Sequence, residues 1–364
     1  MDKNLRNELL RPFWKGSRVA YESAMLVGSS DGAPLIFTPD KIEGVYNMAR
    51  DIRYEEDADY EVRDGKIYPT EGTRMPITQP DEYYLRAPAR YMESGEEKTL
   101  AIKVVNERVK ESFPVEGERY FTFSNKKYFY DRQISISYTH SDAWSGYIPE
   151  SRREIFAPFF EKARRGERPT VVWFGDSITT GCDASGEHKD ALPPYQPSFP
   201  TLIREHIEEN YGEIVYVNTA VGGKTTKWAQ RELEERALKF DPDLLVLAFG
   251  MNDKLLDPAE YYEIYKEMLC RVFNRSPDAR VLLLATMIPN PWSDWHLNQP
   301  LMAEKLHKLA GEFKNVAVCD MTRLSQDIYA AGKRFRDINA NNVNHPGDFL
   351  ARVYAQAILK VIEG

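Results

Sequence analysis

Cysteine is scarce in this chain: Cys182, Cys270 and Cys319 are its only three in 364 residues. An odd number at wide spacing supplies neither a disulfide framework nor a CxxC metal site. Long apolar runs are missing too, and a membrane-spanning helix needs about 20 consecutive apolar residues. The N-terminal stretch MDKNLRNELLRPFWKG has no apolar core of the kind a secretion signal carries. These absences predict a cytoplasmic protein without a membrane partner. Basic charge is likewise in deficit, with 48 Lys and Arg against 56 Asp and Glu and a net charge of −8. Phosphate backbones are bound through a basic footprint, so no nucleic-acid partner is expected. Repeats and low-complexity segments are absent.

What is present is enough for two ordinary cores. Apolar residues make up 42% of the chain, and its length suggests two units at roughly 150 residues per domain. Residues 1–150 carry short β-rich runs broken by Pro and Gly: 19–27, 35–38, 42–48, 100–105, 120–124 and 134–139. Asp64-Gly65 between DYEV and KIY is a two-residue hairpin signal. This pattern predicts an all-β sandwich, jelly-roll-like, as an accessory domain. Its aromatic clusters are first of all core.

From residue 151 to 364 the rhythm changes. Apolar runs TVVWFGD, IVYVNT, DLLVLAFG, RVLLLATM and VAVCD alternate with amphipathic stretches, and GDFLARVYAQAILKVI closes the chain. Such runs mark parallel strands buried on both faces. The expectation is an α/β domain in three layers around a five-stranded parallel sheet.

Binding sites of open α/β sheets collect at the carboxyl ends of the strands. There the sequence places Gly175-Asp176-Ser177 after the first run, Gly222-Gly223 after the second, and Gly250-Met251-Asn252-Asp253 after the third. Asn344-His345-Pro346 precedes the last helix. A serine hydroxyl becomes a nucleophile when an adjacent imidazole takes its proton, and histidine titrates in the right range. Ser177 and His345 are therefore the candidate nucleophile and base. The N–H groups of Ser177 and Gly223 and the Asn252 amide are candidate donors to the oxyanion; one such donor is worth about 2.7–4 kcal/mol. Asp176 and Asp253 are expected to orient these loops.

These four blocks, in this order, resemble the SGNH (GDSL-like) hydrolase family over residues 165–364. An all-β unit ahead of such a domain is also similar to some two-domain carbohydrate esterases. The resemblance implies an acyl-serine mechanism without metal or organic cofactor, acting on a small acyl ester, acetyl first, of a small molecule or oligosaccharide. At one point the chain departs from the family: Asn342 stands three residues before the histidine, where an Asp is usual. Asparagine can accept the ring N–H but brings no charge, and Asp→Asn in a trypsin-like triad lowers kcat about 10⁴-fold. Either Asn342 or a backbone carbonyl orients His345, or an acid arrives from elsewhere. Asp337 is the nearest upstream candidate, whereas Asp348 falls in the first turn of the last helix, where it suits the helix dipole.

Other features are weaker. The loop CDASGEHKDALPPYQPSF offers His188 and Tyr195 as pocket-lining residues, and Trp292 and Trp295 after the fourth run can stack on a sugar or cover the core. Cys182 is given no role. A G-x-S-x-G elbow is excluded because Thr179 occupies the last glycine position. Two rival functions are an impaired glycan-binding protein, suggested by Asn342, and a metal-dependent phosphoesterase, for which paired histidines and carboxylates are lacking. A homo-oligomer is left open.

Overall fold

The computed structural model describes residues 2–88, 90–93, 96–99, 101–104, 118–125, 127–187 and 191–364. Its C-terminal half is built on five parallel strands: Thr170–Gly175, Val215–Asn218, Leu244–Ala248, Arg280–Ala285 and Val316–Asp320. In space the second strand lies at the edge, followed by the first, third, fourth and fifth. Side chains alternate along each strand, so successive residues serve opposite faces. Val171 and Trp173 join the helices Arg153–Arg164, Phe199–Asn210 and Asp348–Ile362 on one face. Val172 and Phe174 meet Thr226–Arg236, Pro258–Arg275 and Met302–Glu312 on the other. Both faces are dry, which is why the first, third, fourth and fifth runs are apolar almost throughout. The second is the edge strand and stays half-exposed.

Among its described residues, the N-terminal half is all-β apart from short helices. Its larger sheet has five strands in the order Arg53–Tyr54, Lys41–Asn47, Gln133–Thr139, Arg18–Val27, Ile77–Thr78. A bulge between Val19 and Glu22 bends the long first strand. Among the described residues, two three-stranded sheets and a two-stranded ribbon accompany it. Tyr60–Arg63 and Lys66–Pro69 pair as the expected hairpin, with Asp64 at φ 48° and Gly65 at φ 71°, the left-handed pair a type I′ turn requires. The run 35–38 is not a strand; pairing there is confined to Ala33–Pro34. The helix Lys3–Leu10, which periodicity did not reveal, starts on an Asp2 side chain that accepts the Asn4 and Leu5 N–H groups.

The two halves do not bury separate cores. Val19, Leu26, Ile67, Ile136 and Tyr138 belong to the same apolar cluster as Phe156, Trp173, Phe349 and Ile358. No helix among the described residues is long and apolar enough to cross a membrane.

Candidate active site

A parallel sheet in which the first strand lies between the second and third has its topological switch between the first and third, and crevices open there. The chain leaving the first strand must turn at once. Gly175 makes this possible, because a Cβ there would stand 2.9 Å from the Ala248 carbonyl oxygen and 2.7 Å from Thr179 Cβ. Asp176 caps the short turn Ser177–Thr180, its Oδ1 accepting the Ile178 N–H at 3.0 Å. Ser177 is thus set on a fixed turn, only 8% exposed. Gly181, at φ 80°, ends the turn and sends the chain back past the serine, with Asp183 at φ 68°.

This return brings an acid to the histidine. His345 Nε2 lies 3.0 Å from Ser177 Oγ, and His345 Nδ1 lies 2.6 Å from Asp183 Oδ2. A carboxylate can only accept, so Nδ1 carries the hydrogen and Nε2 is left to accept from the serine. Burial disfavours a charged ring at His345, but Asp183 and Cys182 outweigh it and push the pKa up to about 10. His345 is itself held by its own loop. Asn341 Oδ1 accepts the backbone N–H groups of Val343, Asn344 and His345 at 3.0, 2.9 and 3.1 Å.

The two residues expected beside the histidine, Asn342 and Asp337, are bonded elsewhere. Asn342, at φ 68°, turns away: its Oδ1 accepts from the Tyr83 hydroxyl at 3.0 Å and its Nδ2 donates to the Thr122 carbonyl at 3.0 Å. Asp337 is fully buried, accepting from the Met25 N–H at 3.0 Å and from the Arg334 guanidinium. Burial opposes its charge, yet Arg334 and Lys333 hold the carboxyl well below its ordinary value. Neither residue therefore orients His345, whose ring bonds go to Asp183 and Ser177; Asn342 and Asp337 bond instead to the N-terminal half. Asp348, in the first turn of the last helix, receives the Ser185 N–H and hydroxyl at 2.9 and 2.7 Å, steadying the loop two residues beyond Asp183.

Around Ser177 the loops after the second and third strands close in. Gly222 approaches so nearly that a Cβ there would sit 3.7 Å from Ser177 Cβ, and Gly223 adopts φ 73° with open space where its Cβ would be. Asn252 Nδ2 donates to the Lys224 carbonyl at 3.0 Å and stands 3.4 Å from Asp176 Oδ2. Burial raises the Asp176 carboxyl to about 7 against the Ile178 N–H bond. Asp253 receives the Thr226 N–H and hydroxyl, fixing the Gly250–Asp253 loop to the next helix; burial raises its carboxyl, and those bonds oppose the rise.

The remaining candidates are less central. Tyr195 is 59% exposed and shares no hydrogen bond with Ser177, Asp183 or His345. Trp292 packs edge-on against Tyr84 and Phe121 at 6.2 and 5.6 Å between centroids, joining the two halves. Trp295 carries the Lys254 ammonium 4.2 Å above its ring, and Lys254 is paired with Asp294. His188 lies outside the described residues. Asp183 is the residue sequence reasoning missed. The signal was a carboxylate six positions after the serine, just past a glycine able to reverse the chain.

Residues 173–349 match the GDSL-like Lipase/Acylhydrolase family. No curated protein matches the sequence. Among solved structures, a two-domain esterase active on acetylated mannans, crystallised with mannopentaose, is 19% identical with a TM-score of 0.46. That likeness covers 58% of this chain and 53% of the other, so the chain spans about half the length of that esterase. A variant of Axe2, an acetylxylan esterase from Geobacillus stearothermophilus, is 16% identical over 54% of this chain and 94% of that one, TM-score 0.45. LAE5, an α/β hydrolase from the metagenome of Lake Arreo, is 18% identical over 52% and 93%, TM-score 0.42. Over residues 173–349, just under half of its length, this chain is similar to the GDSL-like Lipase/Acylhydrolase family.

Proposed function

We propose that this protein is a serine esterase that removes a small acyl group, acetyl in the first instance, from an acylated oligosaccharide. The observation that carries the proposal is the unbroken line Asp183 Oδ2, His345 Nδ1, His345 Nε2, Ser177 Oγ, with links of 2.6 and 3.0 Å. In this reading Nε2 takes the Ser177 proton as Oγ attacks the ester carbonyl. Asp183 stabilises the imidazolium that forms and holds the ring in the productive tautomer. The oxyanion is received by the N–H groups of Ser177 and Gly223 and by the Asn252 amide. His345 then hands the proton to the leaving alcohol, water attacks the acyl-serine with His345 as base, and the acid departs.

The near contact of Gly222 with Ser177 and the low exposure of the serine favour a short acyl chain. The sugar alcohol rests on the arrangement of an all-β unit ahead of a GDSL-like domain. Expecting an impaired binding protein depended on Asn342, and a carboxylate beside His345 removes that ground.

The test is acid release from acetylated mono- and oligosaccharides, beside esters of longer acids, by the protein and its Ser177→Ala variant. Acetate release that vanishes in the variant is expected. Unchanged turnover in Ser177→Ala would refute the nucleophile, and preference for long acyl chains would refute the acetyl substrate alone.

A further inference from the structure

The ester chemistry leaves Cys182 without a task, yet the residue lies against the triad. Its Sγ, one Asp183 carboxylate oxygen and one His345 ring nitrogen all lie within 4.8 Å of one another. Thiolate, imidazole and carboxylate are all ligands of Zn²⁺, with bonds of about 2.0–2.3 Å. A tetrahedral ion with such bonds holds its ligand atoms roughly 3.3–3.8 Å apart, so side-chain adjustment alone would close the set. A thiolate selects against Mg²⁺ and Ca²⁺ and in favour of thiophilic ions.

The scaffold under these ligands is firm. Cys182 N–H donates to the Ser177 carbonyl at 3.0 Å, Asp183 is fixed in the left-handed region, and the Asn341 side chain grips the His345 backbone. Three protein ligands beside an open coordination position is the arrangement zinc accepts with a solvent molecule as fourth partner.

We propose that Cys182, Asp183 and His345 form an inhibitory site for a thiophilic divalent cation, with Zn²⁺ as its representative. The meaning of inhibition rests on the serine–histidine reading given above; the binding itself does not. The thiol gives its proton to solvent, and the ion takes the Asp183 carboxylate and His345 Nδ1. The neutral ring must then carry its hydrogen on Nε2, which can no longer accept from Ser177. The ion therefore switches the esterase off by occupying its base and its acid together.

Two measurements test this on the full chain. Zn²⁺ should slow alkylation of Cys182 by iodoacetamide, followed by mass spectrometry, while the exposed Cys270 serves as internal control. Co²⁺ added to the Ser177→Ala variant should give the thiolate-to-cobalt charge-transfer absorption whether or not that variant turns over esters. In activity assays Zn²⁺ should inhibit reversibly, with EDTA restoring the rate. Relative to each protein's own metal-free rate, Cys182→Ser should weaken inhibition by more than the roughly 10–100-fold that loss of an outer-shell partner costs. Equal alkylation of Cys182 with and without Zn²⁺, or no thiolate band with Co²⁺, overturns the site. An intact band together with full esterase activity in Ser177→Ala would instead overturn the serine mechanism and leave the metal site standing.

Discussion

The Tyr83 hydroxyl donates to Asn342 Oδ1 at 3.0 Å, across 259 residues of sequence. The residue where the family places an acid has become a clamp between the N-terminal half and the loop that carries His345. Its Nδ2 donates in the same way to the Thr122 carbonyl, and its φ of 68° is one that asparagine tolerates better than most residues. Asn342→Asp, which restores the family residue, is therefore expected to do harm. The carboxylate would face the Thr122 carbonyl without a hydrogen to offer, and an unsatisfied buried group of this kind costs about 1–3 kcal/mol, more when charged. Urea unfolding should show the loss; a more stable or a faster Asn342→Asp enzyme would sink this account.

Asp183→Asn should separate the carboxylate that serves His345 from the one that was expected to. Loss of the charge beside Nδ1 is predicted to lower kcat by roughly 10⁴-fold, the scale seen when a triad acid becomes an amide. With Asp183 neutralised, one of the two groups that raise the ring against burial is gone, so the acid limb of the pH–rate profile should move downward. Asp337→Asn, by contrast, should leave the position of that limb alone and show itself in thermal unfolding, since its carboxylate serves Arg334 and the Met25 N–H.

What the sequence disclosed and what it withheld divide along one physical line. Strands buried on both faces announce themselves as continuous apolar runs, and turn residues mark a hairpin locally, so the parallel sheet, the 60–69 hairpin and the strand-end positions of Ser177 and Asn252 were all legible. Asp183 was not. Its meeting with His345 joins residues 162 apart in sequence, and depends on the reversal at Gly181 rather than on any spacing from the histidine. Asn342 misled because the family pattern supplies the acid locally, whereas here a separate half of the chain has claimed that position. Trp292 likewise has an aromatic partner, Phe121, that only the folded structure supplies.

Activity and stability should respond to alkali in opposite directions. The His345 pKa is raised, to about 10, so its protonated form is favoured by the fold. That contribution to stability is complete below the unfolded value of roughly 6.5 and is lost as pH rises toward the folded one. Catalysis needs the neutral ring, so kcat/KM should climb over the same window. Rates and thermal midpoints measured in parallel from pH 6 to pH 10 should cross, and in Asp183→Asn the stability decline attributable to His345 should shrink. A rate plateau already reached near pH 7 in the unaltered protein would count against the raised pKa.

The proposed oxyanion donors should show up in kcat rather than KM. Asn252→Ala removes one donor and should lower kcat by about 10²–10³-fold, the effect of losing such a group elsewhere. Gly223→Ala tests the backbone: nothing lies within 4 Å of the added methyl, so any loss comes from forcing a non-glycine residue to hold a positive φ, a strain of order 1–2 kcal/mol. Unaltered kcat in Asn252→Ala would assign the amide to the Lys224 carbonyl and the Asp176 carboxylate instead.

Lys333 and Glu22 decide whether the two halves unfold as one. Their side chains are wholly buried and 2.7 Å apart, one contributed by each half. Lys333 Nζ also donates to the Ser23 and Pro34 carbonyls, and Glu22 accepts from the Tyr138 hydroxyl and the Ile36 N–H. Removing one partner strands the other charge in the core, which costs about 3–5 kcal/mol. Lys333→Met should lower the urea midpoint accordingly, and adding Glu22→Gln should recover part of the loss but not the two orphaned carbonyls. Because the apolar cluster runs through both halves, tryptophan fluorescence and esterase rate should fall in one transition. Activity that outlasts the first fluorescence change would show instead that residues 151–364 stand as an independent unit and that this pair is only a tether.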